Sequence, residues 1–88
     1  MTEYLFTIPK ALDLTRMKQI VAACENEIYF ESEEGDRIAL KSTLGQLIFF
    51  SMFHDLEFLH TKSHLRCFGK KDKERLSEIL TLITDESR

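Results

Sequence analysis

Hydrophobic positions along the chain switch repeatedly between two spacings. Tyr4 to Ile8 is short, aromatic and β-prone, and Pro9 closes it, which predicts a strand. After Asp13, the residues Leu14, Met17, Val21 and Cys24 recur at steps of three and four, with Ile20 alongside. That is one face of a helix. Asp13 can cap it through its carboxylate, and Glu25-Asn26 ends it. Glu27 to Ser32 reads as a second strand, Glu33-Glu34-Gly35-Asp36 as a turn and the alternating Arg37-Ile38-Ala39-Leu40-Lys41 as the returning arm of a hairpin.

Ser42-Thr43 carries a helix-start signal, and Thr43-x-x-Gln46 fits a capping box. The helix it opens holds Leu44, Leu47, Ile48, Phe49, Phe50, Met52 and Phe53, apolar on nearly every side. A stripe of Leu44, Leu47 and Ile48, with Ser51 or Met52, suffices for a core, which turns Phe49, Phe50 and Phe53 elsewhere. Residues 54–63 have no clear period. His64 to Phe68 reads as a fourth strand with Leu65 and Cys67 inward, and Gly69 breaks it. Asp72 is then expected to cap a last helix with Leu76, Ile79, Leu80 and Ile83 on its apolar face, before fraying from Thr84 to Arg88.

The predicted order is β-α-β-β-α-β-α in a single domain, residues 1–88. Three amphipathic helices need one buried surface, and a four-stranded sheet with a polar second face offers it. The expected class is therefore α+β, an open-faced two-layer sandwich with three helices on one face.

Composition narrows function only by exclusion. A chain of 88 residues buries about 60% of its unfolded surface, so the core is modest. Twelve Lys+Arg against fifteen Asp+Glu, net charge −3, lack the basic excess of a nucleic-acid binder. Cys24 and Cys67 are not spaced as a redox or zinc pair, and both fall on apolar faces, which suggests reduced core thiols in the cytoplasm. The start, Met1 to Pro9, carries an acid and only a short apolar stretch, so it does not read as a signal peptide. The run Leu47 to Phe50 is far shorter than the ~20 residues of a membrane span. No catalytic motif stands out and no cofactor is expected.

The stretch Arg37-Ile38-Ala39-Leu40-Lys41-Ser42-Thr43-Leu44-Gly45 resembles the V-x-L-K-S-I-M-G signature of the histidine-containing phosphocarrier (HPr) family of the bacterial sugar phosphotransferase system. The element order and the preceding hairpin are similar too, so the resemblance spans nearly the whole chain. It implies the family's four-stranded antiparallel sheet under three helices, and a docking surface for partner proteins on the first two helices.

At the start of the first helix the likeness stops. Phosphate-carrying members hold a histidine there in a G-x-H-A-R-P-A motif, with an arginine two residues on and the helix N–H groups around the phosphoryl group. Here the stretch is Ala11-Leu12-Asp13-Leu14-Thr15-Arg16-Met17, without histidine, glycine or proline. The histidine position falls on Asp13 or Leu14, and Arg16 stands for the family arginine. His54, His60 and His64 all lie in the second half of the chain. Leucine cannot accept a phosphoryl group, and an aspartyl phosphate calls for a magnesium site built from further acids. The expectation is a protein that is not an enzyme and has lost the phosphocarrier role. It would act as a regulatory or protein-interaction domain toward phosphotransferase-system or transcription-regulatory proteins. Two alternatives stay open: an unorthodox phosphocarrier using Asp13 or a displaced histidine, and a small homo-oligomeric scaffold.

Ser42 is the second position that the resemblance carries over. In many Gram-positive members the signature serine is phosphorylated by a dedicated kinase, and the phosphoprotein binds a transcription regulator. A phosphate at a helix start meets unpaired N–H groups and the positive dipole end, so Ser42 is a candidate regulatory site as well as a plain cap.

The remaining candidates are surface features. Leu47, Phe49, Phe50 and Phe53 form an expected interaction surface, unless the stretch 52–63, longer than its family counterpart, folds over them through Leu56, Phe58 and Leu59. His60 and His64 would share a helix face, but His64 reads as the first residue of a strand, so no metal site is expected. Lys70, Lys71, Lys73 and Arg75 crowd the start of the last helix, where Glu74 and Glu78 can pair with them.

Overall fold

The structure is a computed structural model and describes residues 2–86. Its elements run β1 (Glu3–Thr7), α1 (Leu14–Ala23), β2 (Tyr29–Ser32), β3 (Arg37–Ala39), α2 (Thr43–Ser51), a 3₁₀ turn (Met52–His54), α3 (Leu56–Lys62), β4 (Ser63–Phe68), α4 (Lys70–Leu76) and β5 (Thr81–Glu86). The strands form one antiparallel sheet in the order β3-β2-β4-β1-β5. The chain is thus α+β, with five strands and four α-helices where the sequence pattern predicts four and three.

Strand alternation creates the two faces. Tyr4, Phe6, Phe30, Leu65 and Cys67 point into the core, while Glu3, Leu5, Thr7, Glu31, His64 and Arg66 on the other face stay half-buried. Each α-helix adds to the same core: Met17 and Val21 from α1, Phe49 from α2, Leu59 from α3 and Leu76 from α4. The second sheet face carries a ladder of charges instead. Arg37 on β3 meets Glu31 on β2 at 3.3 Å, and Glu31 meets Arg66 on β4 at 3.2 Å. Arg66 reaches Glu3 on β1 at 2.6 Å, and His64 donates Nε2–H to Glu31 at 2.6 Å.

Several expectations change at the C-terminal end. The last helix stops at Leu76, and Ile83 lies in β5 rather than on a helical face. Ser77 to Leu80 turns the chain, with Leu80 N–H donating to Leu76 O. The β-prone Thr81-Leu82-Ile83-Thr84 then satisfies the free edge of β1, pairing Phe6 with Leu82 and Leu5 with Thr84 across a bulge. Thr84 to Glu86 thereby belong to a strand, while Ser87 and Arg88, the end of the expected frayed stretch, lie outside the described residues. Asp72 is not the cap of α4, which begins after Gly69. Its buried carboxylate accepts N–H groups from Glu25 (2.9 Å) and Asn26 (2.8 Å) just beyond α1, and Arg75 Nη1 donates to it at 3.0 Å. One buried acid therefore ties α4 to the end of α1, and a charge-assisted set of this kind contributes about 1.5–3 kcal/mol per bond.

Helix α2 is turned relative to the expected stripe. Gly45 and Phe49, four residues apart, face the core, and Phe49 is fully buried. Its ring packs 5.3 Å from Phe30, 5.1 Å from Phe50 and 5.0 Å from Phe53. The 52–63 stretch folds as the 3₁₀ turn, α3 and the first residue of β4, and its Leu59 is fully buried in the same core. Phe49 is thus core, not surface, and Phe50 and Phe53 are half-buried against it. Leu44, Leu47 and Ile48, expected inside, point outward.

Candidate functional site at the first two helices

The residues carrying the phosphocarrier resemblance meet where α1 ends and α2 begins. Lys41 extends its ammonium onto the last turn of α1 and donates to the carbonyls of Val21 (3.2 Å), Ala22 (3.3 Å) and Cys24 (2.6 Å). Those carbonyls lie at the negative end of a helix dipole, where a cation stabilises. Leu40 is fully buried, and its N–H pairs with Ile28 O at 2.8 Å. Glu27 accepts from the backbone N–H of both Ile28 and Lys41.

Ser42, exposed, is the N-cap of α2: its Oγ accepts from Gly45 N–H at 2.9 Å and donates to Ala39 O at 3.1 Å. The cap therefore falls on Ser42 rather than on a Thr43–Gln46 box. Gly45 has no room for a side chain, since a Cβ there would lie 1.9 Å from Ala39 O. Leu40, Lys41, Ser42 and Gly45 each have a defined structural task at one junction.

At the start of α1 the side chains of Asp13 and Arg16 have structural partners. Asp13 caps the helix, accepting from Arg16 N–H at 3.2 Å. Leu14 is half-buried. Arg16 donates Nη2–H to Glu78 at 2.6 Å, which ties α1 to the turn after α4. The histidines engage elsewhere. His54 Nδ1 lies 2.8 Å from Ser51 O, His60 Nδ1 lies 2.8 Å from Ile8 O, and His64 is held by Glu31.

Between α1 and α2 runs a groove of about 410 Å³ lined by Leu14, Lys18, Thr43, Gln46, Leu47, Phe50 and Ser51. Lys18 stands over the Phe50 ring at 5.3 Å, so its stem adds apolar wall and its head a charge. Next to the groove, Leu44 is 68% exposed, Leu47 65% and Ile48 43%. Neither helix contains an acid, while α1 brings Arg16 and Lys18. An apolar strip with a cationic rim results. Leu47 and Phe50 from the expected interaction surface lie on this groove. Phe49 and Phe53 do not, Lys18, Thr43 and Gln46 join it, and Leu44 and Ile48 stand exposed beside it. The signal that orients this strip is Gly45: a glycine inside a helix marks close backbone approach, which puts Phe49 inward and Leu44, Leu47 and Ile48 outward.

Electrostatics elsewhere favour stability over reactivity. Burial, reinforced by the Asp72 carboxylate, pushes the Cys24 thiol up to about 11. Burial, with Cys24 and Asp72 beside it, pushes Cys67 up to about 12. Both cysteines are free thiols. Among the described residues no helix is long and apolar enough to cross a membrane. Comparison with protein-family models, with curated proteins and with solved structures finds no match to the chain.

Proposed function

We propose that this protein is an HPr-like domain that has lost the phosphocarrier reaction and works by docking a partner protein on the α1–α2 face. The single observation that carries the reading is the exposed Leu44–Leu47–Ile48 strip beside the groove, on a face where Arg16 is already bound to Glu78. A monomeric surface rarely leaves adjoining large aliphatics uncovered unless they are used. The family likeness is supported by the Leu40-Lys41-Ser42-x-x-Gly45 junction and by the antiparallel sheet backed by helices. The fifth strand and α3 are departures from the expected family plan. The chain acts by binding, needs no cofactor, and fits a cytoplasmic phosphotransferase-system or transcription-regulatory partner.

Charge defines what that partner presents. The rim carries Lys18, while Arg16 is paired with Glu78, so an apolar ridge with a carboxylate facing Lys18 is complementary. Ser42 supplies the means of regulation. A phosphate on its Oγ keeps an acceptor against the first N–H groups of α2, gives up the bond to Ala39 O, and puts a dianion next to Leu44. Docking through an apolar strip would weaken for an acidic partner and strengthen for a basic one.

The test compares native protein with Leu47→Asp and Ser42→Asp as baits against lysate of the source cell, followed by direct titration of each retained protein. Under this reading a partner binds the native chain and is lost by at least ~tenfold with Leu47→Asp, while Ser42→Asp changes affinity without unfolding. A partner that binds native and Leu47→Asp proteins equally would place docking elsewhere.

A further inference from the structure

The sequence pattern parts His60 from His64 between a helix and a strand, yet both line one cavity. It lies where β1 ends and α3 passes into β4, holds about 310 Å³ and shares no residue with the α1–α2 groove. Glu33, Lys62, Thr7 and Ile83 line it as well. Each imidazole has one nitrogen committed. Ile8 O can only accept, so His60 Nδ1, 2.8 Å away, carries the hydrogen. His64 donates Nε2–H at 2.6 Å to Glu31, a carboxylate held ionised by Arg37 and Arg66. In the neutral rings, His60 Nε2 and His64 Nδ1 are therefore bare acceptors. Among the described residues neither nitrogen has a partner, and neither do the Glu33 carboxylate, the Lys62 ammonium and the Thr7 hydroxyl.

Free acceptors outnumber free donors in this cavity, one full charge of each sign stands on its wall, and Ile83 adds an aliphatic side. That set discriminates among ligands. Among the described residues no three His, Cys, Asp or Glu side chains converge to hold a metal ion. An inorganic anion would meet Glu33 and find few donors. A neutral polyol makes no use of the opposite charges. A molecule with an ammonium and a carboxylate on one carbon uses every free group: its N–H donors suit the acceptors, and its oxygens suit Lys62 and Thr7. We propose that this cavity binds a small aliphatic α-amino acid, its ammonium taken by Glu33 and the two imidazoles, its carboxylate by Lys62 and Thr7, and its side chain by Ile83. Charge-assisted bonds at both ends supply the affinity and the selection. The site stands independently of docking on the α1–α2 face.

The few heavy atoms of alanine limit its dissociation constant to about 1 mM at the efficiencies that such small molecules reach. Titration of the full chain with L-alanine, followed by the backbone amide signals in two-dimensional NMR, reads binding and place together. The expected result is a saturable shift of the Thr7, Glu33 and His60 to His64 amides. Ethylammonium, which lacks the carboxylate, and propionate, which lacks the ammonium, should each bind at least ~tenfold more weakly. Glu33→Gln and Lys62→Gln, both at exposed positions, should each weaken alanine by a similar factor, with the rest of the spectrum confirming the fold. Leu47→Asp should leave alanine binding unchanged. Amides that do not respond to alanine, a response that survives both Glu33→Gln and Lys62→Gln, or ethylammonium, propionate or inorganic phosphate binding as tightly as alanine would each overturn the proposal.

Discussion

Lys41 Nζ lies 2.6 Å from Cys24 O, so a residue seventeen positions later in the chain closes the end of α1. The same ammonium serves Val21 and Ala22, and the next residue, Ser42, opens α2. One dipeptide thus ends one helix and starts another. Lys41→Met keeps the stem and removes the charge. It should cost about 1–2 kcal/mol in urea unfolding, from lost bonds to charged groups and a lost dipole partner. An unchanged midpoint would mean that the lysine is merely lying on the surface.

Gly45 offers a test in which two effects have opposite signs. In an exposed helix, Gly→Ala gains about 1 kcal/mol. Here the added Cβ would stand 1.9 Å from a backbone oxygen, which cannot swing aside as a side chain can. Overpacking of this kind costs about 1–3 kcal/mol, and the clash should dominate. Gly45→Ala is expected to lower the unfolding midpoint. A raised midpoint would show that β3 and α2 are less closely apposed.

Acid should weaken the sheet through Glu31. Desolvation raises its pKa, but the hydrogen bonds and charges of His64 and Arg66 outweigh that and hold it below its ordinary value. A carboxyl lowered in the folded state contributes stability that is complete above its unfolded pKa. That contribution is lost as pH falls through the folded value. Stability measured from pH 7 downward should therefore decline below the ordinary glutamate range, and less steeply in Glu31→Gln than in the native chain. Parallel acid limbs would remove Glu31 from the account.

Cys24 and Cys67 should be inert while the chain is folded. At neutral pH both thiols stay protonated, and only the thiolate attacks. A maleimide should label neither residue in native buffer and both in guanidinium. The same raised values add stability below the unfolded thiol pKa, which is lost as pH climbs through about 11. Rapid labelling of the native chain would mean that the α1–β4 core opens readily.

Much of this arrangement was legible in the residues. The first strand, the Asp13 cap, the hairpin about Gly35 and the inward Leu65 and Cys67 follow from local composition, period and turn chemistry, and the structure has them. The C-terminal end was not, because Leu76, Ile79, Leu80 and Ile83 fit a helical period by coincidence. The free edge of β1 decided otherwise, and an unpaired edge is a property of the sheet, not of the local sequence. The orientation of α2 was hidden for a different reason. Five large apolar residues in the nine positions of α2 give period analysis too little polar side to exclude. Only Gly45, through what its missing Cβ admits, fixes the rotation. The candidate site inherits both effects: Ser42 and Arg16 lie in the expected elements, whereas the exposed strip had to await the helix rotation.

The central claim is that this chain docks a partner and does not relay a phosphoryl group from phosphoenolpyruvate. Its most direct test is incubation of the full chain with labelled phosphoenolpyruvate and the general phosphotransfer enzyme, followed by measurement of acid-labile phosphate. The account predicts none above a control without that enzyme. One phosphate per chain, mapped to His54, His60, His64 or Asp13, would contradict it.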